Sequence, residues 1–347
     1  MSVSGSIAKP LVVSLGDPAG IGPELIVDAW ARREAERLPP FFVAGGASVL
    51  VEAAKTRGIE LAVTSVEDPT EAVAAFNQAL PILGKVDGDY QPGQPDDDGA
   101  GLALGSLEAA AAYVVEGRAA AVVTAPISKD QLARVGFTFP GQTEFVAAVC
   151  GAPSDDAVMM LAGPRLRTVP MTVHCALSEV SGRLSTELIV RRSRIVARAL
   201  RQDFGIVSPH LAICGLNPHA GENGRMGREE IEIIAPAVAA LREEGIEVSG
   251  PHPADALFAP HAREGYDVAI AMYHDQALIP LKTLDFDQGV NVTLGLPVVR
   301  TSPDHGTAFG IAGTGQASAS AMIAAIRMAG QMALRREGAS TGSTPAE

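Results

Sequence analysis

The chain has 347 residues, of which 47% are hydrophobic, 19% charged and 4% aromatic, and its formal net charge is −13. That balance describes a globular chain with a substantial core, long enough for about two domains, and its acidity excludes a nucleic-acid surface without excluding small anions. Cys150, Cys175 and Cys214 form no CxxC pair, no apolar run approaches the roughly 18 residues of a membrane span, and MSVSGSIAKPLVVSLGD lacks a signal-peptide core, so free thiols, no membrane partner and a cytoplasmic location are expected.

In chain order, the patterning predicts a strand at Leu11–Leu15, a helix at Pro23–Arg37, a strand at Phe41–Ala44 and a helix at Ala47–Arg57. A helix at Gly101–Glu116, a strand at Ala120–Thr124 and a helix at Thr143–Cys150 follow. Strands at Ala157–Leu161 and Arg167–Val173 lead to a helix at Ser185–Asp203, a strand at His210–Cys214 and a helix at Gly227–Glu244. Strands at Asp267–Met272 and Asn291–Leu294 and a helix at Ala317–Arg335 complete the series. Many strands are almost wholly apolar rather than alternating, which implies burial on both faces, largely parallel sheets and an α/β class. The acidic stretch Val86–Gly101, with Asp96–Asp98, reads as a solvated loop rather than a cation site, and the tail Glu337–Glu347 reads as disordered.

Three of the seven histidines share a placement: His174 ends RTVPMTVH, His219 follows LAICGLNP, and His274 ends DVAIAMYH. Ligands of open parallel sheets bind at the carboxyl ends of strands. Three imidazoles delivered there can converge on one divalent cation and leave positions open for substrate oxygens. Their spacings, 45 and 55 residues, match no local metal motif, and a hydrogen-bonded structural histidine fits a strand end equally well. The neighbourhoods 217–224 and 272–276 are dense in polar and turn residues; His210, His252 and His261 lack that setting.

Lys282 and Arg300 each follow an apolar run, and Asn291 lies between them. Two cations and an amide suit a phosphate or carboxylate, while ion pairs with Asp285 or Asp304 are the plainer alternative. FPGQTEF adds a turn that opens a helix, with Thr143 either beside a bound anion or simply capping the helix. No GxGxxG follows a strand. GDPAGIGPE is a Gly-rich turn leading into a helix, and residues 304–315 form the stronger candidate nucleotide loop. Between Thr301 and Ser320 there is no Lys or Arg, so NAD is favoured over NADP.

Taken together, GDPAGIGPE, VTAPISK, FPGQTEF, MTVH, CGLNPHAGENG, AMYHDQALIPLK, GVNVTLGLPVVRTSPDHGTA and AGTGQA resemble the 4-hydroxythreonine-4-phosphate dehydrogenase family, in order, from about Leu11 to Ala329. The resemblance implies two α/β domains of isocitrate/isopropylmalate dehydrogenase-like fold, with the active site in the interdomain cleft at a homodimer interface. The implied domains are a nucleotide-side domain (1–130 with 298–336) and a metal, substrate and dimerisation domain (131–297), followed by the tail. It implies His174, His219 and His274 as ligands of one Zn, Mg or Co ion. Gln142, Thr143, Lys282, Asn291 and Arg300 match substrate contacts, and Gly16, Gly20, Gly306, Thr307, Ala308 and Gly313 are the expected NAD contacts. The implied reaction oxidises 4-phosphooxy-L-threonine to a 3-oxo acid that decarboxylates to 3-amino-2-oxopropyl phosphate, in pyridoxal phosphate biosynthesis. One departure stands out: the family usually has His where this chain has Gln142, which can donate a hydrogen bond but neither carry charge nor transfer a proton. The general base is left open among Lys129, Asp255 and Asp275. Alternatives are oxidation of a phosphorylated threonate or erythronate and, from another class, metal-dependent hydrolysis of a phosphate ester. Lys282, Asn291 and Arg300 disfavour an unphosphorylated dihydrodiol.

Overall fold

A computed structural model describes residues 7–341. The chain divides into two compact units, Met1–Ala157 with Leu296–Glu347, and Val158–Gly295. Among the described residues no helix is long and apolar enough to cross a membrane.

The first unit is built on β1 (Leu11–Ser14), β2 (Phe41–Ala44), β3 (Val63–Val66), β4 (Leu80–Leu83), β5 (Val122–Thr124) and β12 (Arg300–Pro303). They lie in the order β3-β4-β2-β1-β5-β12, every neighbouring pair parallel. β1, β2, β4 and β5 are buried along their whole length, as near-continuous apolar runs require when helices cover both faces. The helix Asp97–Val115 packs Ala110 and Val114 on Val12, Phe42 and Val122. It also packs Ala103 and Leu107 with Phe145 and Val146 of the helix Gln142–Val149. Residues 131–157 therefore lie in this first unit and not with the histidine-bearing strands. Asp96, read from sequence as part of a solvated loop, caps the helix Asp97–Val115: its carboxylate accepts from the N–H of Gly99, which is why the helix starts earlier than the apolar pattern suggests. Gly16 sits at φ +74, and an added Cβ would lie 2.6 Å from the Pro126 carbonyl oxygen. Its turn is closed against the chain's own backbone.

The second unit carries β6 (Val158–Ala162), β7 (Arg167–Pro170), β8 (Leu211–Cys214), β9 (Val248–His252), β10 (Val268–Ala271) and β11 (Val290–Leu294). Their order is β11-β6-β7-β10-β8-β9. β7, β10, β8 and β9 are mutually parallel, while β6 runs antiparallel to both its neighbours. The fold is α/β with largely parallel sheets. The last helix runs Ser320–Thr341, so 337–341 are helical where disorder is expected, and Glu337 accepts a hydrogen bond from the N–H of Ala8. Residues 342–347 lie outside the described residues.

Candidate active site

Because β7, β10 and β8 are adjacent and parallel, the segments that follow them leave the same edge of the second unit's sheet. His174 follows β7, His274 follows β10 and His219 follows β8. Two details differ from the expected strand ends. His174 lies beyond a bend, in the left-handed region at φ 50. His274 opens the helix His274–Asp285, masked in the sequence by the internal Pro280, which normally interrupts helices. The His174 and His274 rings lie 6.1 Å apart, centroid to centroid, and line one cavity of about 380 Å³ with Thr172, Cys175, Tyr273 and Asp275.

His274 Nδ1 is 2.8 Å from Asp275 Oδ1. With Nδ1 donating to that carboxylate, Nε2 keeps its lone pair, the tautomer a metal or a proton donor needs. Asp275, expected as a candidate base, therefore touches His274 and orients it. Gln276 ties two of the segments together: its Oε1 accepts from Met272 N (2.6 Å) and its Nε2 donates to the Gly215 carbonyl (2.8 Å). Among the described residues no three His, Cys, Asp or Glu side chains are gathered closely enough to hold a metal, so His219 is not brought onto the His174–His274 pair within one chain. The donor chemistry itself, neutral imidazoles with a carboxylate behind one of them, fits a borderline divalent cation such as Zn or Co.

Also in the second unit, Asn291 lies on β11, and its buried Oδ1 makes no hydrogen bond among the described residues. A buried amide oxygen left so is ready for a ligand donor. Lys282 is half-buried in the helix His274–Asp285. Asp285 accepts from both the N–H and Nε of Arg165. Asp255 is exposed at the start of the short helix Ala254–Leu257.

In the first unit Arg300, 4% exposed, begins β12 in register with Val122. Its side chain runs along the sheet to the end of β5, where Nη2 donates to Thr124 Oγ1 (2.7 Å) and Gln142 Oε1 (3.3 Å), and Nη1 to Thr143 Oγ1 (3.3 Å). Burial pulls this guanidinium down to about 10, partly opposed by Glu144. A desolvated cation held by the neutral oxygens of Thr124, Gln142 and Thr143 favours an anion beside it. The helix Gln142–Val149 supplies more of that environment: its N-cap is Gly141, with no side-chain cap, so its first N–H groups stay available. Thr143 therefore does not cap the helix but accepts from Arg300. Lys129 approaches the same turn, its Nζ 3.6 Å from where a Cβ on Gly141 would stand.

Gln142 is buried, donating through Nε2 to the Ala125 carbonyl (3.1 Å) and accepting from Arg300. A neutral amide can do both at once at any pH. In Gln142→His, burial and Arg300 would both lower the imidazole pKa, leaving it neutral at pH 7. The ratio of variant to parent KM for a phosphorylated substrate should be flat from about pH 7 to 9 and fall below about pH 6, where the ring charges. A ratio independent of pH would remove position 142 from the phosphate's surroundings.

The expected nucleotide loops meet in this unit. Ile21 N donates to Thr307 O (2.9 Å), and a Cβ on Gly20 would lie 2.8 Å from that same oxygen. Ala308 is left-handed at φ 46, and Gly306 faces open space. Glu24, fully buried and not apparent from the sequence as functional, accepts from Gly313 N (2.6 Å) and Tyr90 OH (3.2 Å), with Arg57 3.7 Å away. The only sequence signal for it is that the mostly apolar first helix carries two acidic residues, Glu24 and Asp28. A cavity of about 450 Å³ beside Pro18 and Ala19 is walled by Asp87, Asp89, Asp96 and neighbours, an acidic lining that repels a diphosphate.

Comparison with known proteins places these features in context. The profile described as "Pyridoxal phosphate biosynthetic protein PdxA" matches residues 37–329. The chain is 61% identical over 332 residues to a 4-hydroxythreonine-4-phosphate dehydrogenase of Erythrobacter litoralis, covering 96% of this chain and 99% of the relative. A crystal structure of a 4-hydroxythreonine-4-phosphate dehydrogenase from Klebsiella pneumoniae superposes with TM-score 0.83 at 38% identity, covering 95% of this chain and 99% of that one. A terephthalate 1,2-cis-dihydrodiol dehydrogenase from Burkholderia xenovorans superposes with TM-score 0.63 at 31% identity, covering 93% and 98%.

Proposed function

The chain belongs to the PdxA family of pyridoxal phosphate biosynthetic proteins, and from that premise we propose that it oxidises 4-hydroxythreonine 4-phosphate with NAD and one divalent cation, as a cytoplasmic homodimer. It is an oxidoreductase, as the dehydrogenase names of its close relatives require. The proposed product is a 3-oxo acid that loses CO₂ to give 3-amino-2-oxopropyl phosphate. What supports this reading most is the adjacency of β7, β10 and β8, which gives three histidines a common sheet edge.

In the proposed mechanism the first unit supplies the phosphate seat. Arg300 and the open N-terminus of the helix Gln142–Val149 bind the phosphoryl oxygens, and Thr143 fixes the guanidinium. One chain does not gather His174, His219 and His274 by itself, so in the proposed homodimer the three would hold the cation across the protomer boundary; Asp275 fixes the His274 tautomer, and Lys282 and Asn291 contact the substrate. A divalent cation bound there supplies Lewis acidity toward the hydroxyl that is oxidised and the ketone that results. NAD is the hydride acceptor, and Gly16, Gly20, Gly306, Thr307, Ala308 and Gly313 are the proposed contacts. The proton leaves to Lys129 or Asp255, since Asp275 is engaged with His274. Large apolar side chains exposed on the second unit, Leu177, Ile279 and Phe286, support self-association.

The test is NADH formation by the purified protein with phosphohydroxythreonine and with phosphothreonate, before and after chelation and return of Zn²⁺ or Co²⁺. The expected result is a clear preference for phosphohydroxythreonine, activity lost with the metal, and recovery on its return. A rate untouched by exhaustive metal removal sinks the mechanism; phosphate release without NAD selects the hydrolase instead, and a preference for phosphothreonate reassigns the substrate.

A further inference from the structure

After β8 the chain does something L-residues avoid. His219, Ala220, Gly221, Glu222, Asn223 and Gly224 all have positive φ, between 43 and 87. Left-handed backbone costs a residue with a Cβ about 1–2 kcal/mol, and it is ordinarily visited singly. A consecutive run with four side-chain-bearing members unwinds unless its surroundings hold it.

Glu230 provides the hold. It is buried at the start of a π-helical turn, Glu230–Ile234, a distortion frequent at functional sites. Its Oε1 accepts from the backbone N–H of Asn217 (2.7 Å) and its Oε2 from Asn217 Nδ2 (3.0 Å), two residues before His219. The carboxylate also fills the inside of the turn. A Cβ on Gly221 would stand 2.4 Å from Oε2, and one on Gly215 would stand 3.1 Å from Oε1. Asn217 Nδ2 is further anchored on Glu229 Oε2 (2.8 Å).

We infer that Glu230 is a positioning residue, whose carboxylate, clamped on Asn217 and seated against Gly215 and Gly221, holds the left-handed turn that presents His219. The inference rests on the reading of His219 as a ligand of the divalent cation. Glutamine is the informative replacement. It keeps one carbonyl oxygen for the Asn217 N–H, but its amide NH₂ then faces Asn217 Nδ2, donor against donor. Flipping Asn217 would turn its oxygen onto the Glu229 carboxylate. Shape is kept and the clamp is lost. Aspartate is one methylene too short to reach Asn217 from the same backbone.

The experiment titrates metal-stripped full-length protein with Co²⁺ alone, read by its visible absorption, for the parent, Glu230→Gln, Glu230→Asp and His219→Ala. Thermal unfolding and NAD binding serve as controls. Glu230→Gln and Glu230→Asp should weaken Co²⁺ about 10- to 100-fold, the usual consequence of losing a group that orients a ligand, with NAD affinity unchanged. Asn217→Ala, which removes only the side-chain half of the clamp, should give a smaller loss and stands in if either Glu230 variant fails to unfold cooperatively. Parental Co²⁺ affinity in the folded clamp variants, alongside a weakened His219→Ala, overturns the positioning role alone. Parental affinity in His219→Ala overturns the ligand reading and the inference with it.

Discussion

Replacing Arg300 should cripple the enzyme while hardly disturbing its fold. The guanidinium is buried among Thr124, Gln142 and Thr143, so the folded protein bears the cost of desolvating a cation in order to have it there. Exchanging a buried charge for an apolar group of similar volume is often neutral or stabilising, whereas leaving a bound anion without its cation costs about 2–5 kcal/mol. For Arg300→Met, kcat/KM with the phosphorylated substrate should fall by about 30- to 4,000-fold, mostly through KM, with Tm within about 4 °C of the parent. Arg300→Lys should recover only part of the loss, because an ammonium cannot reach Thr124, Gln142 and Thr143 from one planar fork. Steady-state kinetics and a melting curve decide it. A large fall in Tm with an unchanged KM would make Arg300 a structural residue and leave the phosphate to Lys282.

His274→Ala should show the largest loss of turnover. The ring is half-exposed, meets its neighbour Asp275 through Nδ1, and lines the cavity it shares with His174. Its removal therefore costs little packing. A cation that polarises the reacting oxygen contributes several kcal/mol, so kcat should drop by about a thousandfold or more, with Tm and NAD affinity near parental values. Asp275→Asn is the companion: its amide can donate to Nδ1 as readily as accept from it, so the charged acceptor that fixes the tautomer is lost, and about 10- to 100-fold is the expected fall. Should both variants turn over at parental rates, the histidine edge is not where the chemistry occurs.

How far the sequence reaches can be followed residue by residue. Local chemistry is carried by local signals. The apolar runs of β1, β2, β5, β8 and β10 announce buried strands, and the amphipathic helix Thr186–Gln202 lies within the stretch predicted helical. β3, VTSV, is half-buried and too polar to register as a run, and β12 starts with an arginine, so neither is anticipated. The helix His274–Asp285 is hidden by Pro280. Family membership is legible because it resides in contiguous motifs such as CGLNPHAGENG and MYHDQ.

What the sequence determined by itself is the α/β class, the family, and the identity of the histidines and cations worth testing, since each depends on residue type and short-range spacing. What only the tertiary structure decided is which of them stand together. The strand order that sets β7, β10 and β8 side by side, the seat formed by Arg300 with Gln142 and Thr143, the buried Glu24 under Gly313 and the Glu230 clamp are all contacts between distant or oppositely placed backbone segments. No periodicity encodes them. They arise when burial forces each polar group to find a partner, and the partner is whatever the packed chain brings within about 3 Å.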